Sequence, residues 1–148
     1  MTKRKLTQRE VGLRYGFKSG LEERVAQQLH RLGVPFTYEE VKIKYMVNRK
    51  ARYTPDFVLE NGVVVETKGR FMVQDRMKHL MIREQHPKVD IRFVFSNPKN
   101  KISKGSKTSY ADWCDKYGFK YAQGDVPREW IDEAPDKERI EALIEVSQ

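Results

Sequence analysis

The stretch from Thr54 to Gly69 constrains this chain more than any other. Two short apolar runs, Phe57-Val58-Leu59 and Val63-Val64-Val65, flank Glu60-Asn61-Gly62, and the second continues into Glu66-Thr67-Lys68. Asn-Gly between β-formers is a hairpin signal, so strands are predicted at 56–59 and 63–68. Side chains two apart on a strand share a face, which puts Glu66 and Lys68 on one side and Val65 and Thr67 on the other. The register decides whether Asp56 joins them. A two-residue turn would set Asp56 opposite Thr67. A three-residue loop, with Gly62 as its left-handed residue, sets Asp56 opposite Glu66 on the same face. The glycine favours the second arrangement, and the three-residue loop is the expectation.

Two carboxylates facing each other across a strand pair repel unless a cation lies between them. Oxygen donors alone suit magnesium or manganese better than zinc. A lysine beside them can orient an attacking water and stabilise charge developing on phosphorus. Together these are the parts needed to hydrolyse a phosphodiester. The plainer alternative is a surface hairpin whose Glu66 and Lys68 form an ordinary ion pair. Acid-x-lysine alone is a weak motif; the Pro55-Asp56 pair, the hairpin and the charge balance add to it.

Charge points to the partner class. The 148 residues carry Lys+Arg 29 against Asp+Glu 21, a formal +8. The excess is uneven: Lys3, Arg4, Lys5, Arg9, Arg14 and Lys18 face only Glu10 in residues 1–18, and Lys99, Lys101, Lys104 and Lys107 face no acid in 97–107. A basic arm and a basic loop fit a polyanion, most often nucleic acid, although they also serve solubility. Arg14, Lys18, Lys104 and Lys107 are the candidate phosphate contacts. From Asp132 onward acids outnumber Lys137 and Arg139.

Several classes fall away. No apolar run exceeds three residues, so a membrane span is not expected, and the basic start lacks the apolar stretch of a signal peptide. The single cysteine, Cys114, excludes an internal disulfide framework and reads as a small buried hydrophobe in a reduced, cytoplasmic setting. His30, His79 and His86 sit on helical patterns and carry no strong site signal.

Leu21, Val25, Leu29 and Leu32 recur at helical spacing, Gly33 is a natural stop, and Ser19 with Glu22 forms a capping-box pattern. Phe36 to Val47 reads as extended, with Val41, Ile43, Tyr45 and Val47 alternating, and Asn48 to Arg52 as a polar connector. A helix is predicted over 75–86, carrying Met77, Leu80 and Met81, and a strand over 91–95. Ser109 caps a short helix through Tyr117, closed by Gly118; Phe119 to Ala122 is extended. Pro135 opens a last helix bearing Ile140, Leu143 and Ile144. This order describes a mixed α/β fold, a sheet flanked by helices.

Pro55-Asp56 and Glu66-Thr67-Lys68 resemble the Pro-Asp…(Asp/Glu)-x-Lys motif of the restriction-endonuclease-like nucleases. More narrowly, Ser19-Gly20-Leu21-Glu22, Tyr38-Glu39-Glu40, Tyr53-Thr54-Pro55-Asp56-Phe57, Ile82-Arg83-Glu84-Gln85-His86-Pro87, Thr108-Ser109-Tyr110 and Trp113-Cys114 resemble the T7-type endonuclease I family of bacteriophages, in order over about 17–131. The resemblance implies a central mixed β-sheet flanked by helices, an intertwined homodimer, and structure-selective cutting of four-way (Holliday) junctions and other branched DNA in an infected host's cytoplasm. It implies that Asp56, Glu66 and Glu22, with the Thr67 backbone carbonyl, bind Mg2+ or Mn2+, two per site, and that Lys68 is catalytic. Glu22 of one chain would complete the partner's site, with 45–53 bridging the halves. Residues 1–16 would be a basic arm, 17–131 the nuclease domain and 132–148 an acidic tail or helix. The chain departs from the family pattern in a bridge without proline and in that acidic tail. Competing readings are a related repair or restriction nuclease on linear duplex, and a non-catalytic DNA-binding module.

Overall fold

The computed structural model describes residues 20–46 and 49–148. The elements, in chain order, are α1 (Gly20–Arg31), β1 (Phe36–Tyr38), β2 (Ile43–Met46), β3 (Lys50–Tyr53), β4 (Phe57–Leu59), β5 (Val63–Lys68), α2 (Val73–Gln85), β6 (Asp90–Phe95), α3 (Tyr110–Tyr117), β7 (Tyr121–Gln123), α4 (Arg128–Asp132) and α5 (Lys137–Val146). One five-stranded sheet runs β1-β4-β5-β6-β7, and β2 and β3 form a separate ribbon. The β1, β4 and β5 pairings are antiparallel, whereas β6 and β7 join in parallel. This is the expected mixed sheet between helices. Among the described residues no helix is long and apolar enough to cross a membrane.

Strand β5 is the sheet's centre, and Val63, Val64 and Val65 are wholly buried. A strand covered on both faces reads as a continuous apolar run. Val63 and Val65 pack with Phe57, Leu59 and the α1 side chains Val25, Ala26 and Leu29. Val64 faces the opposite core, with Phe93, Phe95, Phe71, Ile82 and the ribbon residues Ile43, Tyr45 and Tyr53. Reciprocal bonds between the Gln28 side chain and the Val126 backbone, at 2.6 and 2.7 Å, tie α1 to the loop before α4.

The hairpin has the predicted three-residue loop. Phe57 pairs with Val65 and Val58 with Val64, and the Gly62 amide donates to the Leu59 carbonyl at 3.0 Å. Gly62 holds φ +92°. Its missing side chain also makes room for α5, since a Cβ there would lie 2.8 Å from Ile140 Cγ1 and 2.9 Å from Arg139 Cγ.

Several expectations need correction. The extended reading of Phe36 to Val47 covers two strands in different sheets, broken where Glu39 takes φ +53°. The Asn48 to Arg52 connector contains most of β3, because Lys50 to Tyr53 pair antiparallel with β2 despite their polarity. Helix α2 starts at Val73 and turns His79 and Ile82 inward, leaving Met77 exposed. Leu32 and Ile144 are likewise exposed. Asp136, not Pro135, caps α5, accepting from the Arg139 amide. Helix α4 had no sequence counterpart. Ser109 and Gly118 close α3 as predicted, Ser109 in a capping box with Asp112. The Ser19 cap and the 1–16 arm lie outside the described residues.

The acidic segment after Asp132 docks on the sheet through arginines. Arg92, nearly fully buried on β6, bonds Asp90 at 2.8 Å and also Glu133. Arg139 donates to Glu133 at 3.2 Å, to Asp90 at 3.3 Å and to the Asn61 carbonyl at 2.9 Å. Asn61 donates in turn to the Trp130 carbonyl at 2.8 Å. The hairpin loop is thus clamped by the C-terminal helices.

Two measurements test this arrangement. Gly62→Ala combines a left-handed backbone with overpacking, and should lower unfolding free energy by about 2–4 kcal/mol in urea. Glu133 has its carboxyl drawn down to about 2, from 4.5, chiefly by its bond to Arg92. A folded-state pKa below the unfolded one adds stability above 4.5 that disappears as pH falls towards 2. Thermal unfolding midpoints should therefore drop across that window, and Glu133→Gln should flatten the drop.

Candidate active site

At the end of the hairpin the chain buries acids that it does not neutralise. Asp56, just before β4, donates its amide to Glu66 Oε1 at 3.2 Å, as opposed residues in this register allow. Its Oδ2 accepts from the Thr67 amide at 2.9 Å and the Thr67 hydroxyl at 2.7 Å. Glu66 is 3% exposed. Burial, then the neighbouring Glu66 charge, pushes the Asp56 carboxyl up to about 7. Burial also raises Glu66, opposed by the charge of Lys68.

Lys68 does not pair with Glu66 in the manner of an ordinary surface hairpin. Its Nζ lies 3.3 Å from Asp75 Oδ1, and Asp75 Oδ2 accepts from the Met72 amide at 3.0 Å. The acid that anchors the start of α2 therefore also anchors the lysine. Lys68 keeps about a fifth of its side chain exposed, facing the cleft.

Glu22 arrives from α1, on the far face of the sheet from Glu66, and is buried. The Tyr38 hydroxyl donates to it. Burial and the acceptor carboxylate raise the Tyr38 pKa, which keeps that hydroxyl protonated. Glu22, Glu39 and Asp56 each offer an oxygen, all within 4.8 Å of one another. Glu22 thus meets Asp56 within one chain. Glu39 is a member that sequence reasoning missed: its backbone is turned into the left-handed region while its amide bonds the Asp56 carbonyl at 3.2 Å. The Tyr38-Glu39-Glu40 match was visible in the sequence, but a turn that leaves the strand was not.

These groups line an open cleft of about 400 Å³, with Lys42, Arg52 and Lys78 added. The three bases come from the ribbon region and α2, and none stood out in a chain already rich in lysine. Lys104 and Lys107 are exposed on the loop before α3 and are not among the lining residues; Arg14 and Lys18 lie outside the described residues. His30 is exposed, and the His86 ring contacts the Lys44 carbonyl. His79 is fully buried beside Glu66, and burial pulls its pKa down to about 3, so its ring is neutral. Cys114 is buried, its thiol pushed up to about 12 by that burial.

The donor set fits a hard divalent cation. The three converging donors, from Glu22, Glu39 and Asp56, are carboxylate oxygens; Glu66 is not of that group but lines the same cleft, and burial raises both Asp56 and Glu66. Without metal, that repulsion subtracts from stability at any pH where Asp56 is ionised. At pH 8 in EDTA, Asp56→Asn should raise the thermal midpoint by about 2–4 °C, the shift that roughly 1 kcal/mol produces in a chain of this size. Mg2+ should raise the midpoint of the parent and leave that of the variant nearly unmoved.

The chain is 52% identical over 131 residues to "Endonuclease I" of Escherichia phage T7, an alignment covering 88% of this chain and 85% of the relative. It is 49% identical over 123 residues to "Endodeoxyribonuclease 1" of Enterobacteria phage T3, covering 82% and 80%. Residues 2–148 match the family described as phage endonuclease I. With the carboxylates, the lysine and the mixed sheet all in place, the chain belongs to the phage endonuclease I family.

Proposed function

We propose that this endodeoxyribonuclease resolves four-way (Holliday) junctions and cuts other branched DNA by divalent-metal-dependent hydrolysis. The observation that carries the chemistry is one cleft in which buried carboxylates stand among Lys42, Arg52, Lys68 and Lys78. Family resemblance supports branched DNA as the substrate and the cytoplasm of an infected bacterium as the setting.

Asp56, Glu66 and Glu22, with the Thr67 carbonyl as a further donor, are the residues proposed to hold Mg2+ or Mn2+, two per site. A divalent ion there would offset the carboxylate charge and polarise a phosphate oxygen. Lys68, oriented by Asp75, reaches the cleft as a cation that can position water and stabilise charge gathering on the phosphoryl group. Lys42, Arg52 and Lys78 at the site, together with the sequence candidates Arg14, Lys18, Lys104 and Lys107, grip phosphates without reading bases. Binding should therefore weaken steeply with salt.

The same reading makes the working unit a homodimer with sites shared between subunits. Contacts made within one chain between Glu22 and Asp56 can be made between two chains if they exchange halves at the link between β2 and β3. The acids then face each other across the interface.

The deciding assay incubates the protein with Mg2+, a four-way junction and a linear duplex of matched sequence. Junction cleavage is expected to exceed duplex cleavage, and Glu66→Ala and Lys68→Ala should each reduce it by about 10²–10³-fold. Equal cutting of the duplex would instead favour a repair or restriction type of nuclease. Binding without cleavage would leave only a DNA-binding module.

A further inference from the structure

Behind Glu66 lie two buried polar groups to which the reaction assigns nothing. Tyr53 ends β3 and His79 sits mid-way along α2; they are 3% and 0% exposed. Their rings meet edge to face, with centroids 4.9 Å apart, and His79 meets Phe93 in the same way at 4.9 Å. Among the described residues, neither the Tyr53 hydroxyl nor either His79 nitrogen has a hydrogen-bond partner of ordinary geometry. Leaving such groups unpaired in a dry core is destabilising, so their presence needs a reason.

The polar group both approach is the Glu66 carboxylate. His79 Nε2 is 3.5 Å from Glu66 Oε2, and the Tyr53 hydroxyl lies close enough for the Glu66 charge to help hold its proton in place. The other Glu66 oxygen, Oε1, already accepts from the Asp56 amide. The tautomer of the neutral imidazole follows from this geometry. With the proton on Nδ1, an Nε2 lone pair would face a carboxylate oxygen; with the proton on Nε2, the same approach becomes attractive.

We propose that Tyr53 and His79 are positioning residues that donate an O–H and an Nε2–H to Glu66, fixing the orientation in which its carboxylate meets a divalent cation. This rests on the reading of Glu66 as a metal-site carboxylate. The chemistry suits the task. Both rings are held by packing, Tyr53 on His79 and His79 on Phe93, so the two donors meet Glu66 from fixed directions. The ribbon acquires a role as well: its last residue supplies one donor from an element outside the main sheet.

The test measures Mn2+ affinity of the full chain without DNA, by electron paramagnetic resonance, for Tyr53→Phe, His79→Leu, His79→Gln and the control Glu66→Gln. Unfolding midpoints in EDTA report on the fold. Tyr53→Phe and His79→Leu should each weaken Mn2+ binding by about 10-fold or more while the EDTA midpoint stays close to that of the parent. His79→Gln, whose amide N–H can replace Nε2–H, should recover most of the loss. If His79→Leu does not fold, Tyr53→Phe, which removes a single oxygen, decides the question. Parental affinity in folded Tyr53→Phe and His79→Leu, with binding lost in Glu66→Gln, would overturn the positioning proposal and leave the metal-site reading standing. Unchanged affinity in Glu66→Gln would overturn both.

Discussion

The rest of the structure depends on the repulsion between Asp56 and Glu66 at the end of the β4–β5 hairpin. A buried carboxylate and a half-buried one within a hydrogen bond of each other's residue would normally be avoided, because burial disfavours each charge and the pair disfavours both. Here Asp56 is pushed up to about 7 and Glu66 is raised as well, against the Thr67 amide and hydroxyl at Asp56, and the Lys68 charge, the Asp56 amide, Tyr53 and the Lys78 charge at Glu66. Holding such a pair requires a rigid frame. Three buried valines in β5, the left-handed Gly62 and the clamp from Arg139 to Asn61 supply it.

The opposite end of the sheet handles charge differently. Arg92 is as buried as Glu66, yet it is met by Asp90 and Glu133, while Arg139 shares both acids. There the charges balance within the chain, and the network serves docking. At the hairpin end Asp56 and Glu66 disfavour each other's charge, which a divalent cation can offset. An unbalanced buried cluster is a stability cost that persists where it has a function, and a balanced one is structural. The acidic segment after Asp132 acts as a brace for the β4–β5 hairpin, through Glu133 and through the α5 residues beside Gly62.

Much of this was legible in the residues alone. Period-two alternation and one glycine determined the hairpin register, because a strand admits only two faces and a tight loop only a few lengths; the expected shared face of the Asp56 and Glu66 carboxylates did not follow from it, since Asp56 lies outside β4, takes the Thr67 hydroxyl and groups with Glu22. The α3 boundaries followed from Ser109 and Gly118, where the side chain and the missing Cβ act locally. What only the tertiary structure decided was whatever depends on partners distant in sequence. Glu39 enters the cluster because β1 leaves the sheet there; β3 forms because β2 offers it an edge, not because Lys50 to Tyr53 read as a strand. His79 faces inward because α2 is rotated towards Phe93, while Met77, equally helical and more apolar, is left outside. Lys68 finds Asp75 and not Glu66 because the first turn of α2 lies nearer its ammonium than the neighbour on its own strand. Local stereochemistry specified which residues share a strand face; the packing of three separate segments determined which carboxylates and donors share a cleft, since that choice is made by distance in space and not along the chain.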